Sequence, residues 1–516
     1  MQPSPLYREY RFMPCLLGID SGLTVTKAVL FDIDGTPLSV ARRRVTQSFP
    51  HARHVERDMD EFWNATADAI AEAISKSGRS VSDILAVAAT AHGDGIYLLD
   101  HDRHPLGAGI LSLDSRAVDI AERWVKSPIA EQSIAITGQL PHASAPSAIL
   151  AWVKENEPER YARIGHVLAA KDWLRFCLTG EVGTDRTEAS TSFTDVNTQE
   201  FSKEALALFR LEELWTALPP MSRSDEIVGR VSRACSERTG LVAGTPVVAG
   251  LHDVTASALG VGGLATGTVA VVAGTYSINE TLFSEPRVHE SWFCRNGIAP
   301  GEWNNMSISP ASTANYDWFL DKLCAAERGE AERVGRSIHD ILRPEIDAAL
   351  ARPSTAMFHP YLFGSPYGAL ASGAFFGLRG WQDRGDMLRA VWEGIAFNHR
   401  IHVDHLKGGF AISRARLTGG VSRSPAFAQM FANVLGMPVT VTDTDEAAAW
   451  GAALCAGKGV GVFSDVYSDP RDLDAIATSY SPDASRHAQY EKRYALFCEM
   501  AAALGPLWPK IEETMI

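Results

Sequence analysis

The sequence predicts an α/β protein made of two related halves, and three observations carry that reading. Short apolar, strand-like runs alternate with amphipathic helical stretches along most of the chain. A strand, a small polar elbow and a second strand follow one another near the start of each half. The length, 516 residues with 46% apolar and 21% charged side chains, is enough for two to four buried cores at roughly 150 residues per domain.

The elements follow in chain order. Cys15 to Ile19 and Lys27 to Phe31 are apolar runs separated by the Gly- and Thr-containing stretch Asp20 to Thr26, and Asp34-Gly35 marks a turn, so a β-hairpin is expected. From Asp58 to Ser77, Phe62, Thr66, Ala69, Ile70, Ala73 and Ile74 recur at helical spacing, with Asp60 as the expected cap. Ile84 to Ala91 reads as a buried strand ending in His92-Gly93-Asp94-Gly95. Helices are expected at Ser115 to Val125 and Ser147 to Lys154, and strands at Val167 to Ala170 and Pro246 to Gly250. The second half repeats the opening theme as a pattern, without identity. Gly267 to Ala273 is strand-like, Gly274-Thr275-Tyr276-Ser277 is the elbow, and Ile278 to Phe283 is extended. Helices follow at Met387 to Ile401, Pro425 to Leu435 and Ala447 to Ala456, and a closing helical segment at Asp483 to Glu513. The expected organisation is an extension at 1–12, domains at 13–260 and 261–480, and a helical segment at 481–516.

Charge and cysteine content bound the function. With 48 basic and 62 acidic residues the formal charge is −14, which repels phosphate backbones, so nucleic acid is not an expected partner. A small phosphorylated ligand, held by local groups, stays open. Seven cysteines, odd in number and scattered without CxxC spacing, argue against a disulfide framework or zinc site and for a reducing compartment. No apolar run approaches the roughly 18 to 20 residues of a membrane helix, and residues 1–12 lack a signal peptide's apolar stretch. A cytoplasmic protein with no membrane partner is expected.

Several common signatures are missing: GxxxxGK[ST], GxSxG, HExxH, and GxGxxG after the first strand. What remains is Asp20-Ser21-Gly22-Leu23-Thr24-Val25-Thr26-Lys27. Gly22 in a tight elbow lets backbone N–H groups approach phosphate oxygens, and the Thr24 hydroxyl adds a donor. Asp20 at the end of the first strand suits Mg²⁺, directly or through water. Lys27 suits charge on a transferring phosphoryl group. An ordinary polar hairpin turn explains the same residues. The second elbow, Gly274-Thr275, tips the balance, because two such elbows facing each other across a cleft could grip one polyphosphate. A third small-residue turn, Gly419-Gly420-Val421-Ser422, precedes a helix near Pro425, where phosphates or a sugar could approach backbone.

These segments resemble the FGGY carbohydrate kinases, within the actin/hexokinase/Hsp70-like ATPase superfamily, over about residues 14 to 500. The first elbow matches the family's phosphate-1 motif, with Leu23 where Thr is usual. Gly274-Thr275 matches phosphate-2, with Tyr276 in place of a small residue. Gly373 to Leu378, Asp386-Met387 and Ala390-Val391-Trp392-Glu393 follow the C-terminal signature, and Gly419 to Ser424, Glu446-Ala447 and Gly451-Ala452-Ala453 the adenosine motif. The resemblance implies two RNase H-like domains with an interdomain cleft, ATP and Mg²⁺ as cofactors, and a small sugar or polyol as substrate; a homodimer is compatible with it. It places ATP phosphates on Asp20, Gly22, Thr24, Lys27, Gly274, Thr275, Gly419, Gly420 and Ser424, with Mg²⁺ at Asp20. Asp253, in Gly250-Leu251-His252-Asp253, inherits the catalytic-base role; a helix cap is the alternative.

For the sugar, the resemblance points to His92, Asp94, Asp114, Arg116 and Asp253. Asp94 falls where xylulokinases have a histidine. Asp114 and Arg116 match an Asp-x-Arg pair that orients substrate or forms an internal brace. Arg53 to Asp58 lacks the family's tryptophan, which argues against D-xylulose. Asn156 to Gly165, Lys171 to Arg175 and Leu178-Thr179-Gly180 resemble L-xylulose kinases, whereas His92-Gly93-Asp94-Gly95 is similar to erythritol kinases. The expectation is phosphorylation of a ketopentose such as L-xylulose. The alternatives are an erythritol or other polyol kinase, and a sugar-responsive binding protein that has kept the fold.

Overall fold

The computed structural model describes residues 13–368 and 370–514, so the expected extension at 1–12 lies outside the described residues. The chain forms two compact units. The first holds the chain up to Gly260 together with Arg295–Glu302 and Asp445–Asp472; the second holds Val261–Cys294, Trp303–Thr444 and the chain from Leu473.

The first unit is built on a six-stranded sheet: β1 (Cys15–Ser21), β2 (Val25–Asp32), β3 (Pro37–Arg44), β4 (Ile84–Ala91), β5 (Ile227–Arg230) and β6 (Pro246–Val248), in the order β5-β6-β4-β1-β2-β3. β1, β2 and β3 form the expected antiparallel meander, in which Asp20 lies opposite Lys27. β4 joins parallel to β1, and β6 joins parallel to β4. The helix Met59–Lys76 packs over β2 and β3, burying Phe62, Thr66, Ala69, Ile70 and Ala73. Its cap is Asp58, which accepts from Glu61 N at 2.7 Å; Asp60, the expected cap, already lies inside the first turn because helical geometry starts at Met59. The strand expected at 167–170 is His166–Leu168, and Ala170 opens a helix because Asp172 accepts from Ala169 N–H as its cap partner.

The stretch 261–480 is not one contiguous unit, because the helix Ala447–Gly459 packs in the first unit against β1 and the helix Asp253–Gly260. Small residues allow that approach. A Cβ at Gly18 would overlap the Ala449 carbonyl, one at Gly451 the Ala256 carbonyl, and one at Gly260 the Ala447 carbonyl. Three contacts between backbones, set by glycines far apart in sequence, thus hold the late helix, one of them on β1 and two on the helix Asp253–Gly260.

The second unit repeats the scheme in a seven-stranded sheet with β7 (Thr268–Ala273), β8 (Ser277–Phe283), β9 (Trp303–Ser309), β10 (Arg414–Thr418), β11 (Val439–Thr442) and β12 (Ala477–Tyr480), which follow one another as β9-β8-β7-β10-β11-β12, and the strand Phe293–Asn296 pairs with β9 at the edge. Again an antiparallel meander leads into a parallel pair, β7–β10 then β10–β11. The expected internal repeat is therefore a repeat of topology. The helix Arg384–Gly409, longer at both ends than expected, is capped by a reciprocal Asp383–Asp386 box and buries Leu388, Val391, Ile395 and Leu406. One face of it is polar and also buried. His399 bonds Asn279 at 2.9 Å and Ser312 at 3.1 Å, while His402 bonds Ser307 at 2.9 Å and Ser309 at 2.8 Å. The closing helical segment is two helices, Ala484–Leu504 and Trp508–Glu512. All seven cysteines are free. Among the described residues, no helix is long and apolar enough to cross a membrane.

Two outcomes follow from this packing. Gly18→Val should destabilise the protein by about 3 kcal/mol or more, since its side chain meets backbone that has nowhere to go; a chemical denaturation midpoint equal to the parent's would contradict the close approach. Burial pushes His399 down to about 3 and His359 down to about 4, from an ordinary 6.5. Each folded-state value lies below the unfolded one, so the unfolded chain binds more protons and stability falls as pH drops from about 6.5 towards 4. Melting temperature should be level above pH 7 and decline below 6.5, and His399→Gln should make that decline shallower.

Candidate active site

The parallel strands decide which residues meet. Asp20 pairs in register with Thr90 across β1 and β4, and Val248 pairs with Ala88 across β6 and β4. The segments that leave the C-terminal ends of these strands therefore emerge side by side, on the edge where α/β sheets carry ligands. They are the Asp20–Lys27 elbow, the turn His92 to Gly95, and the loop Ala249 to Asp253.

The last two are locked together. Thr90 Oγ1 donates to Leu251 O at 2.7 Å, and Gly250 (φ +74°) lies so close to Ala89 O that no Cβ fits. A Cβ at Gly93 would overlap the His252 imidazole, so Gly93 is the seat of that ring. The ring lies between the Gly93 backbone and Asp253. His252 Nδ1 is 3.3 Å from Asp253 Oδ1, without hydrogen-bond geometry, and burial pushes His252 down to about 4, so it is neutral at physiological pH. Asp253 opens the helix Asp253–Gly260, and its side chain is 30% exposed.

Asp94 is one of five non-glycine residues with positive φ (+55°) among the described residues. Gly95 N–H, donating to Ser144 O at 2.9 Å, pins the turn. Burial would raise the Asp94 pKa, but Arg295, then His142 and His252, outweigh it and hold the carboxyl below its ordinary value. His92 is buried, with its Nε2 3.2 Å from the Tyr97 hydroxyl, and burial pushes it down to about 3.

Asp114 and Arg116 form the internal brace. Two Arg116 nitrogens donate to the Asp114 oxygens at 2.9 and 2.8 Å, one also to Glu56 at 2.7 Å, and both side chains are fully buried. Asp114 accepts from Val55 N–H at 2.7 Å, and Arg116 lies over the Trp152 ring. The pair organises the Arg53–Asp58 segment.

At the first elbow, Gly22 N–H donates to Val25 O at 2.9 Å, which closes the turn, and Thr24 is exposed. Lys27 Nζ lies 3.2 Å from Asp20 Oδ2 and 3.2 Å from Glu446 Oε2, and Glu446 also pairs with Arg42. Burial disfavours the Lys27 charge, yet the two carboxylates prevail and hold its pKa above the ordinary value. On the second unit, Gly274 O accepts from Thr313 N at 3.0 Å and from Thr313 Oγ1 at 2.6 Å. No atom lies closer than 4.0 Å to where a Gly274 Cβ would stand, and Thr275 is exposed. Gly419 (φ +110°) packs on Ala273 so tightly that a Cβ would overlap its carbonyl, which sets the Gly419–Ser422 turn directly against the Gly274 elbow. Space around Gly420 is open. Ser424 caps the helix Pro425–Leu435, accepting from Phe427 N.

Residues that sequence reasoning missed support this edge. Lys171, fully buried, pairs with Asp172 at 2.6 Å and Asp185 at 3.0 Å. Thr187 Oγ1 donates to Asp185 and accepts from His252 N at 2.9 Å, so the network carries the loop that presents Asp253. Glu188 lies beside it with both oxygens unbonded among the described residues, and burial holds its carboxyl well above the ordinary range. Arg295 pairs with Asp94 and is itself held by Gln139. No motif marks them; Lys171-Asp172 was visible only as part of a resemblance.

Comparison with known proteins agrees with this geometry. The models for the FGGY family of carbohydrate kinases match residues 15–260 (N-terminal domain) and 266–460 (C-terminal domain). The L-xylulose/3-keto-L-gulonate kinase of Escherichia coli K12 is 33% identical over 505 residues, covering 96% of this chain and 98% of that one. The erythritol kinase of Brucella abortus is 28% identical, covering 96% and 97%. The solved structure of ligand-bound xylulose kinase from Lactobacillus acidophilus superposes with a TM-score of 0.86 over 97% of this chain and 100% of that one, at 23% identity. Two RNase H-type α/β units, a carboxylate pair at strand ends and two glycine elbows thus stand in a chain that belongs to the FGGY family of carbohydrate kinases, enzymes that transfer a phosphoryl group from ATP to a sugar.

Proposed function

We propose that the protein phosphorylates a hydroxyl of a ketopentose such as L-xylulose, with Asp253 as general base. The observation that carries this is the locked pairing of the Asp94 turn with the Asp253 loop through His252. Asp94, an acceptor, takes a substrate hydroxyl; Asp253, exposed enough to be reached, accepts the proton of the hydroxyl that attacks phosphorus. Neutral His252 sets the spacing between the two without competing for that proton.

The nucleotide is read on each unit separately. On the second unit, the open backbone at Gly274 and Gly420, with the Thr275 hydroxyl beside it, suits phosphate oxygens. On the first unit, Lys27 offsets phosphoryl charge, and the Asp20–Glu446 pair keeps it protonated for that task. Asp20 is a hard oxygen ligand, only 15% exposed and bound to Lys27. That suits Mg²⁺, which takes one or two carboxylates and otherwise keeps water and phosphate oxygens. When bound there, Mg²⁺ would neutralise charge on the phosphates. A polyol is the second reading; the His92–Gly95 turn and the 28% identical erythritol kinase favour it.

Asp253→Asn should fold normally and lose about 10²–10⁴-fold in sugar-dependent kcat, as expected when a general base is removed. ADP release at the parental rate would refute the assignment. Gly274→Val should leave the melting temperature unchanged, because the site has room for a Cβ, while raising the ATP KM or lowering kcat. Normal nucleotide kinetics in the folded variant would remove the second elbow from the phosphate site. A panel of L-xylulose, other pentuloses and tetritols, assayed for ADP release, decides between ketose and polyol.

A further inference from the structure

Asp94 is held from two directions. Its backbone is fixed in a left-handed turn between Gly93, seated on His252, and Gly95, bonded to Ser144. Its side chain is fixed by Arg295, whose Nη2 donates to Asp94 Oδ1 at 3.1 Å. Arg295 is 3% exposed, and its Nε donates to Gln139 Oε1 at 2.9 Å; Gln139 Nε2 in turn donates to Ser190 O at 2.9 Å. The guanidinium is thus anchored behind the carboxylate, while the Asp94 side chain itself keeps 14% exposure. A planar fork with two anchors fixes the direction of a carboxylate in a way that a flexible ammonium does not.

We propose that Arg295 is the positioning residue of the sugar pocket: by fixing the Asp94 carboxylate as an acceptor for one substrate hydroxyl, it sets how sharply the enzyme separates sugars that present a hydroxyl there from those that do not. Arg295 acts through Asp94 and not by touching the substrate. The proposal rests on Asp94 belonging to the sugar site. A pocket that pairs a buried polar group with a hydroxyl rejects analogues that leave the group unpaired, and it does so more strongly the less the group can turn away. Arg295 also keeps Asp94 an acceptor. Charged and titratable groups facing Asp94 are Arg295, His142 and His252, with His92 two residues away; burial lowers the pKa of all three histidines, so Arg295 is the permanent cation among them.

The test compares the parent with Arg295→Met, Arg295→Lys, Asp94→Asn and the double variant Arg295→Met/Asp94→Asn, on the same panel of pentuloses and tetritols between pH 6 and 8. Arg295→Met should raise the KM of the best sugar about 10- to 100-fold and flatten the ranking of the panel, with ATP KM unchanged, by analogy with a lost charge-assisted contact. Its sugar KM should also rise as pH falls, because a buried carboxyl without its cation takes up a proton more easily, whereas the parent stays level. The double variant should match Asp94→Asn alone and lose that pH dependence; any titration of His142 or His252 is common to both. Arg295→Lys should recover the level pH profile but not the full sugar affinity. A folded Arg295→Met with the parental KM and ranking overturns the proposal, as does an equal effect of Arg295→Met with and without Asp94. If Arg295→Met fails to fold, Arg295→Lys carries the same comparison, and parental KM and ranking in it overturn the proposal. If Asp94→Asn leaves every sugar KM unchanged, it is the placement of Asp94 in the sugar site that fails.

Discussion

The parallel register of β1, β4 and β6 is the constraint on which the site depends. It sets Asp20 level with Thr90, and Ala88 level with Val248, so three loops leave the sheet at one edge. The side chains there have little freedom of their own. Gly93 and Gly250 are each forced by a neighbouring ring or carbonyl, and Asp94 occupies a backbone region that an aspartate tolerates better than most residues. Shift the register by one residue and the carboxylates would turn to opposite faces of the sheet.

Much of this was legible in the sequence. The strand Ile84–Ala91 and the helix Pro425–Leu435 were readable to the residue, because one is an uninterrupted apolar run and the other starts on Ser-Pro and stops on Gly. The Gly/Thr elbows stood out because a few adjacent residues suffice to suggest them, whereas Asp253 was singled out only by the family resemblance. Partners supplied by distant parts of the chain were not legible. Glu446 reaches Lys27 across 419 positions, and Arg295 reaches Asp94 across 201. Asp114 and Arg116 show the converse. Their motif was visible, but only burial and the bonds to Val55 and Glu56 reveal that they brace a segment.

The site is polar well below its surface. Lys171, Asp172, Asp185 and Thr187 form a satisfied network whose last bond holds the backbone of His252. Buried charge is costly unless paired, and here each partner is paired within about 3 Å, so the network trades stability for a loop with a single conformation. The second unit does something comparable with neutral groups. Its histidines and serines tie the helix Arg384–Gly409 to the strands that carry the Gly274 elbow, and Ser312, bonded to His399, precedes the Thr313 that holds Gly274.

The helix Ala447–Gly459 has a consequence for biosynthesis. On the ribosome, β1 emerges well ahead of this helix, and the surface of Gly18 that the helix covers stays bare until more than 400 further residues have been made. The first unit therefore cannot complete its native core until residues 447–459 have been made. Such a long-range closure slows folding and leaves a sticky sheet face available to chaperones in the interval. It also links quality control to function, because the same late segment delivers Glu446 to Lys27: a chain truncated before it would lack both the cover of the sheet and the carboxylate beside the elbow lysine.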